Sequence, residues 1–129
     1  MIELAKLIAG NNVEIDKQHA WGFEIRCVNN ERYCGKFLVI TNPHVMSSLH
    51  YHKLKDETFC IMSGEVNIET QHEGDILKSS IYTAGKQIRI QAGVRHRLYS
   101  YSPLSVILEV STHHDDSDTF RVIEGGKSV

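Results

Sequence analysis

His50 and His52 stand one residue apart in the stretch Ser48–Gly64, SLHYHKLKDETFCIMSG, and Glu57 follows shortly after. On a β-strand, alternate side chains share a face, so the two imidazoles point the same way. A carboxylate that opens the next strand leans into the same space. Two imidazoles and a carboxylate are a common ligand set for a divalent transition metal. A later strand must complete the set, and the best supplier is Gly85-K-Q-I-R-I-Q-A-Gly93-V-R-His96. Gly85 and Gly93 bracket a strand at hairpin spacing, and His96 sits near the start of the returning strand. Leu98 and Ser100 share its face, with Arg95, Arg97 and Tyr99 on the other. Three histidines plus Glu57 leave coordination positions open, as a catalytic site does and a structural one does not. The ligand types do not choose among Zn, Mn, Fe and Ni.

Ligands drawn from separate segments need a stiff scaffold, and the apolar pattern predicts a β one. β-prone runs cover 21–28, 33–41, 47–53, 57–62, 65–70, 76–82, 86–91, 95–101 and 104–110. Turn chemistry separates them: Asn29-Asn30, Asn42-Pro43, Ser63-Gly64, residues 71–75, Gly85, Ala92-Gly93 and Pro103. About nine short strands at near-regular spacing argue for an all-β sandwich or barrel. Residues 2–9 (IELAKLIA) carry helical spacing and stop at Gly10, which predicts a short N-terminal helix. No internal linker or repeat interrupts the chain, so residues 1–129 read as a single domain.

Composition removes several classes of function. The net charge is −2 and no Lys/Arg stripe forms, which argues against a nucleic-acid partner. No apolar run reaches the ~18–20 residues of a membrane span. The N-terminus is too short in its apolar run and too acidic for a signal peptide, which predicts a cytoplasmic protein. Cys27, Cys34 and Cys60 are an odd number without C-x-x-C spacing. They read as free thiols, with a Cys27–Cys34 bridge across a hairpin as the alternative.

The two segments, His50-x-His52-x4-Glu57-x6-Gly64 and Gly85-x7-Gly93-x2-His96, resemble the paired motifs of the cupin superfamily. That resemblance implies an all-β cupin fold, the double-stranded β-helix or jelly-roll barrel. It also implies one divalent metal ion held by His50, His52, Glu57 and His96. The chain departs from the pattern at His44, where a Gly is usual, at Gln91 for a Pro and at Ser100 for an Asn. A narrower resemblance runs through HAWG (19–22), KFLVITNP (36–43), AGVRHRL (92–98) and LEVST…DDSDTFR (108–121). These segments look like the C-terminal phosphomannose isomerase domain of bifunctional mannose-6-phosphate isomerase/mannose-1-phosphate guanylyltransferase enzymes. The resemblance implies an isomerase or epimerase acting on a sugar phosphate or activated sugar, without the nucleotidyltransferase activity. The first ligand position, often Gln in that family, is His50 here. An iron-dependent cupin dioxygenase and a non-catalytic sugar-binding cupin module are the alternatives.

For the reaction itself, Glu57 is also the candidate base. Lys55, Arg97, Tyr99 and Trp21 are the candidates for substrate binding. Alternation sends Lys53, Arg95 and Arg97 to the face away from the ligands, and Tyr99 suits barrel packing. Trp21 would stack on a sugar ring or cover an end of the barrel. His113-His114-Asp115-Asp116 reads as a solvated polar loop in preference to a second metal cluster. Phe59 and Ile61 alternate with Cys60 and Met62, so this strand has two apolar faces. One faces the barrel, and the other another sheet or the partner of a homodimer.

Overall fold

The computed structural model describes residues 15–126, so the helix expected at 2–9 lies outside the described residues. Eleven strands follow in chain order: β1 (Lys17–His19), β2 (Gly22–Asn29), β3 (Cys34–Ile40), β4 (Leu49–Tyr51), β5 (Glu57–Ser63), β6 (Glu65–Gln71), β7 (Lys78–Thr83), β8 (Gln87–Ile90), β9 (Arg95–Tyr99), β10 (Ser105–Ser111) and β11 (Phe120–Ile123). All nine expected strands are present. β1 and β11 are additional: each is three or four residues long, and neither carries an alternation that announces it. No helix among the described residues is long and apolar enough to cross a membrane.

The strands form two antiparallel sheets, ordered β1-β2-β3-β10-β5-β8 and β11-β4-β9-β6-β7. Alternation then decides what fills the space between them. Leu38, Ile40, Phe59, Ile61, Ile90 and Ile107 from the first sheet meet Val66, Ile68 and Leu98 from the second in one buried cluster. This is the face-to-face packing of a β-sandwich closed toward a barrel. The other face of the six-stranded sheet carries a second cluster: Ile25, Val39 and Val106, with Phe23, Phe37, Met62 and Leu104 packed on it. Met62 thus accounts for the second apolar face of β5, while Phe59 and Ile61 fill the barrel. Cys27 is exposed, Cys34 is buried and no disulfide joins them.

Two backbone positions show how tightly the turns are built. Gly64 adopts φ +78° between β5 and β6, and a Cβ there would lie 2.7 Å from the Leu104 carbonyl oxygen. His44, standing where a Gly is usual, still adopts a left-handed φ of 69°. Its N–H donates to the Ser100 carbonyl at 2.8 Å, and its ring packs edge-on against Tyr101. We expect Gly64→Ala to lower stability by about 1–3 kcal/mol through backbone strain alone, before the clash is counted. A urea midpoint equal to that of the parent would show that the β5–β6 turn is looser than described.

Candidate metal centre and its polar cavity

His50 leaves β4, His96 lies directly opposite it on β9, and His52 follows at the end of β4. Period-two alternation turns all three inward. Their ring centroids lie 4.5 Å (His50–His96), 5.1 Å (His50–His52) and 5.5 Å (His52–His96) apart. One nitrogen from each falls within 4.8 Å of the others. Glu57, the first residue of β5, brings Oε1 to 2.7 Å from His96 Nε2 and 3.7 Å from His52 Nε2. The four side chains therefore converge from both sheets.

The hydrogen bonds behind the rings decide which nitrogen faces inward. His50 Nδ1 meets the Ser48 carbonyl at 3.0 Å, His52 Nδ1 the Asp118 carbonyl at 2.9 Å and His96 Nδ1 the Val94 carbonyl at 3.0 Å. A carbonyl oxygen only accepts, so each Nδ1 carries the proton and each neutral ring turns a lone pair inward at Nε2. Glu57 Oε1 is buried 2.7 Å from His96 Nε2, a contact that needs a proton or a cation between the two atoms. Lone pairs facing one another at this distance repel unless a positive charge sits between them. The residues thus fit a divalent cation, with backbone carbonyls orienting the ligands from behind.

Titration behaviour follows from the same packing. Burial, reinforced by His96 and His52, pushes the His50 pKa down to about 3. Burial likewise takes His52 down to about 4. Burial alone would raise Glu57, but His96, Lys55 and His52 outweigh it and keep the carboxylate ionised. Burial works against a charge on His96, yet Glu57 pulls its pKa up, so this pair favours a positive charge between its members.

A polar network surrounds the cluster. Lys55, 3 % exposed, donates from Nζ to Glu57 Oε2 at 2.9 Å, Glu109 Oε2 at 3.1 Å and His114 Nδ1 at 3.1 Å. His114 then donates from Nε2 to Asp116 at 2.9 Å. Asn29 clamps the His114 backbone on both sides. Residues 113–116, expected as a solvated loop, are therefore only partly so: His113, Asp115 and Asp116 are exposed, but His114 is buried. The expectation failed because it treated neighbours in sequence as one unit, whereas the chain turns between them. Asp118 closes the arrangement. Its carboxylate accepts the backbone N–H groups of Lys53, Leu54 and Lys55 at 2.9–3.2 Å, and its carbonyl holds His52.

The cluster opens into a cavity of about 540 Å³. Trp21, His19, Glu24, Lys36, Lys55, Glu109, His114 and Arg121 line it beside the metal-ligand candidates. Of the four substrate-binding candidates, Trp21 and Lys55 lie in this lining. Arg97 does not: it pairs with Glu69 at 2.9 Å, two strands' outward faces meeting. Tyr99 lies outside the lining as well and packs edge-on against Tyr101. Lys53 and Arg95 also turn outward, over Phe120 and Tyr51. Glu24, Lys36 and Glu109 were not singled out from the sequence. Their signal was a charged residue on the inward face of an otherwise apolar strand, as Lys36 is within CGKFLVI and Glu109 within SVILEVS.

No family model matches the chain, and no curated protein matches it in sequence. Solved structures do match in shape. Oxalate decarboxylase from Bacillus subtilis superposes with a TM-score of 0.75 at 15% identity, over 87% of this chain and 30% of that one. Oxalate decarboxylase from Lactobacillus farciminis gives 0.73 at 16% identity, over 87% and 34%. The capsular polysaccharide assembling protein CapF from Staphylococcus aureus gives 0.72 at 18% identity, over 85% and 31%. The chain spans about a third of the length of these proteins. At these identities the likeness shows the fold, and the fold is the all-β cupin one.

Two outcomes follow from this geometry. Asp118→Ala should weaken Zn²⁺ or Mn²⁺ affinity roughly 10–100-fold through loss of loop order around His52, as read by titration calorimetry; unchanged affinity would sever Asp118 from the site. Glu24, 12 % exposed at its side chain, has a pKa of about 2 because the bond from His19 and the charge of Lys36 overcome burial. A depressed folded-state pKa contributes stability above the unfolded value of 4.5 and loses it as pH falls toward 2. The deficit of Glu24→Gln, roughly 3 kcal/mol at neutral pH, should therefore shrink across that window in denaturant titrations.

Proposed function

We propose that this cupin-fold chain is a metal-dependent isomerase or epimerase acting on a sugar phosphate. The observation that carries the reading is the convergence of His50, His52, His96 and Glu57 on a cavity with a polar wall. A divalent cation held by those four residues would supply Lewis acidity, stabilising negative charge that develops on a substrate oxygen.

The chain's own residues do the rest. The cavity, at about 540 Å³, lies within the range usual for small-molecule sites. Trp21 adds an apolar side to the cavity wall, with His19 stacked on one of its faces. Arg121 brings a cation to the same cavity, where a phosphate would pair with it, whereas Lys17 is already paired with Asp116. Lys55 stays charged, because Glu109 and Glu57 outweigh the burial that would strip its proton. It therefore neutralises Glu57 and keeps that carboxylate in place. A carboxylate held ionised so firmly is a poor proton acceptor, so Glu57 serves as a ligand and the base lies elsewhere.

The motif resemblance to phosphomannose isomerase domains supports a hexose phosphate as substrate. The capsular polysaccharide assembling protein among the similar structures is in keeping with a carbohydrate setting. We expect the metal-loaded protein to interconvert mannose 6-phosphate and its ketose, and chelation to abolish turnover. Failure on a panel of hexose and pentose phosphates, with metal bound at one equivalent, would sink the isomerase reading. Oxygen uptake in the same assays would replace it with an oxygenase.

A further inference from the structure

Moving a proton between adjacent carbons requires a base in the cavity, and the inference that follows rests on the isomerase reading above. The metal-ligand candidates cannot serve, since each imidazole has its Nδ1–H tied to a carbonyl. His114 is engaged at both ring nitrogens, by Lys55 and by Asp116. One histidine of the lining differs.

His19, on β1, stacks flat on Trp21 at a centroid distance of 4.6 Å and an interplanar angle of 9°. Its Nε2 bonds to Glu24 Oε2 on β2, and Glu24 Oε1 accepts from Lys36 Nζ on β3 at 3.2 Å. Lys36 is almost fully buried, which fixes its Nζ against that carboxylate. An ionised carboxylate only accepts, which places the proton of a neutral His19 on Nε2 and a lone pair on Nδ1. No described residue donates to that Nδ1. The stacking fixes the ring plane, while a side-chain exposure of 28 % leaves the ring in contact with cavity solvent.

We propose that His19 is the catalytic base of the cavity, with Glu24 and Lys36 as its positioning residues. The carbon-bound proton next to the substrate carbonyl passes to Nδ1. The C–H electron pair becomes the new carbon–carbon π bond, and the carbonyl π pair moves onto oxygen. The imidazolium then returns a proton to the former carbonyl carbon, while the hydroxyl proton passes between the two oxygens. Nothing is oxidised or reduced overall, and His19 ends as it began. The arrangement is the carboxylate–imidazole logic of a histidine base held in one tautomer.

The test compares parent, His19→Ala and His19→Gln, each metal-loaded, with mannose 6-phosphate in D2O, following ketose formation and carbon-bound deuterium by NMR. General acid–base groups contribute about 10²–10⁴-fold, so kcat should fall at least ~100-fold. Bound metal and KM should stay within about threefold, and free imidazole should restore part of the His19→Ala rate. A purely structural role would not respond to imidazole. An active parent whose two variants keep kcat within about threefold would overturn the assignment and leave the isomerase reading standing. A parent inactive on every sugar phosphate would remove both.

Discussion

The structure turns on a repulsion. Glu57 Oε1 and the inward nitrogens of His50, His52 and His96 are all electron-rich, and they are driven together at the end of the cavity. Glu57 Oε1 lies 2.7 Å from His96 Nε2, a contact that only a proton or a metal ion between the two atoms relieves. Hydrophobic packing forces the encounter: Phe59, Ile61 and Leu98 lie on the same inward faces as Glu57 and His96, so burying the apolar residues buries the polar ones too. The two charged lysines in the barrel, Lys36 and Lys55, face Glu24, Glu57 and Glu109. Buried charges persist only when paired, and burial together with the Glu57 charge pushes the Glu109 carboxyl up, the mark of carboxylates crowded together. A cation at the convergence point would relieve both the local contact and this crowding.

The strands were largely legible because alternation and turn chemistry act locally. Residues 57–62 and 95–101 show it: their inward positions are apolar or metal-ligating, and Gly64 and Pro103 end them. The ligands were legible for a related reason, since period two and a hairpin suffice to bring His50 against His96. What was not legible depended on contacts between distant segments. Nothing near His114 announces that it will meet Lys55, and nothing near β1 announces that His19 will lie in the cavity. Arg97 shows the opposite limit. Its sequence position beside a ligand suggested a substrate contact, yet the same alternation that aims His96 inward aims Arg97 at Glu69.

His44 illustrates how a fold absorbs a departure from its usual pattern. The left-handed backbone is retained although the residue is no longer glycine. Its amide bond to Ser100 and ring contact with Tyr101 offset part of a cost that a non-glycine residue pays there, roughly 1–2 kcal/mol. The turn geometry is thus dictated by the sheets on either side, with the residue type adjusting to it.

Asp118 carries a consequence of a different kind, one of timing. The carbonyl that orients His52 belongs to a residue 66 positions later in the chain. A nascent chain that has already folded its first ten strands still lacks the group that aims this imidazole. Competence to hold a cation therefore arrives last, when the C-terminal segment lays Asp118 across residues 53–55. By linkage, whatever binds the cluster must also hold that segment down. The ion would act as a latch on the finished molecule, and a chain clipped before Asp118 would hold it more weakly.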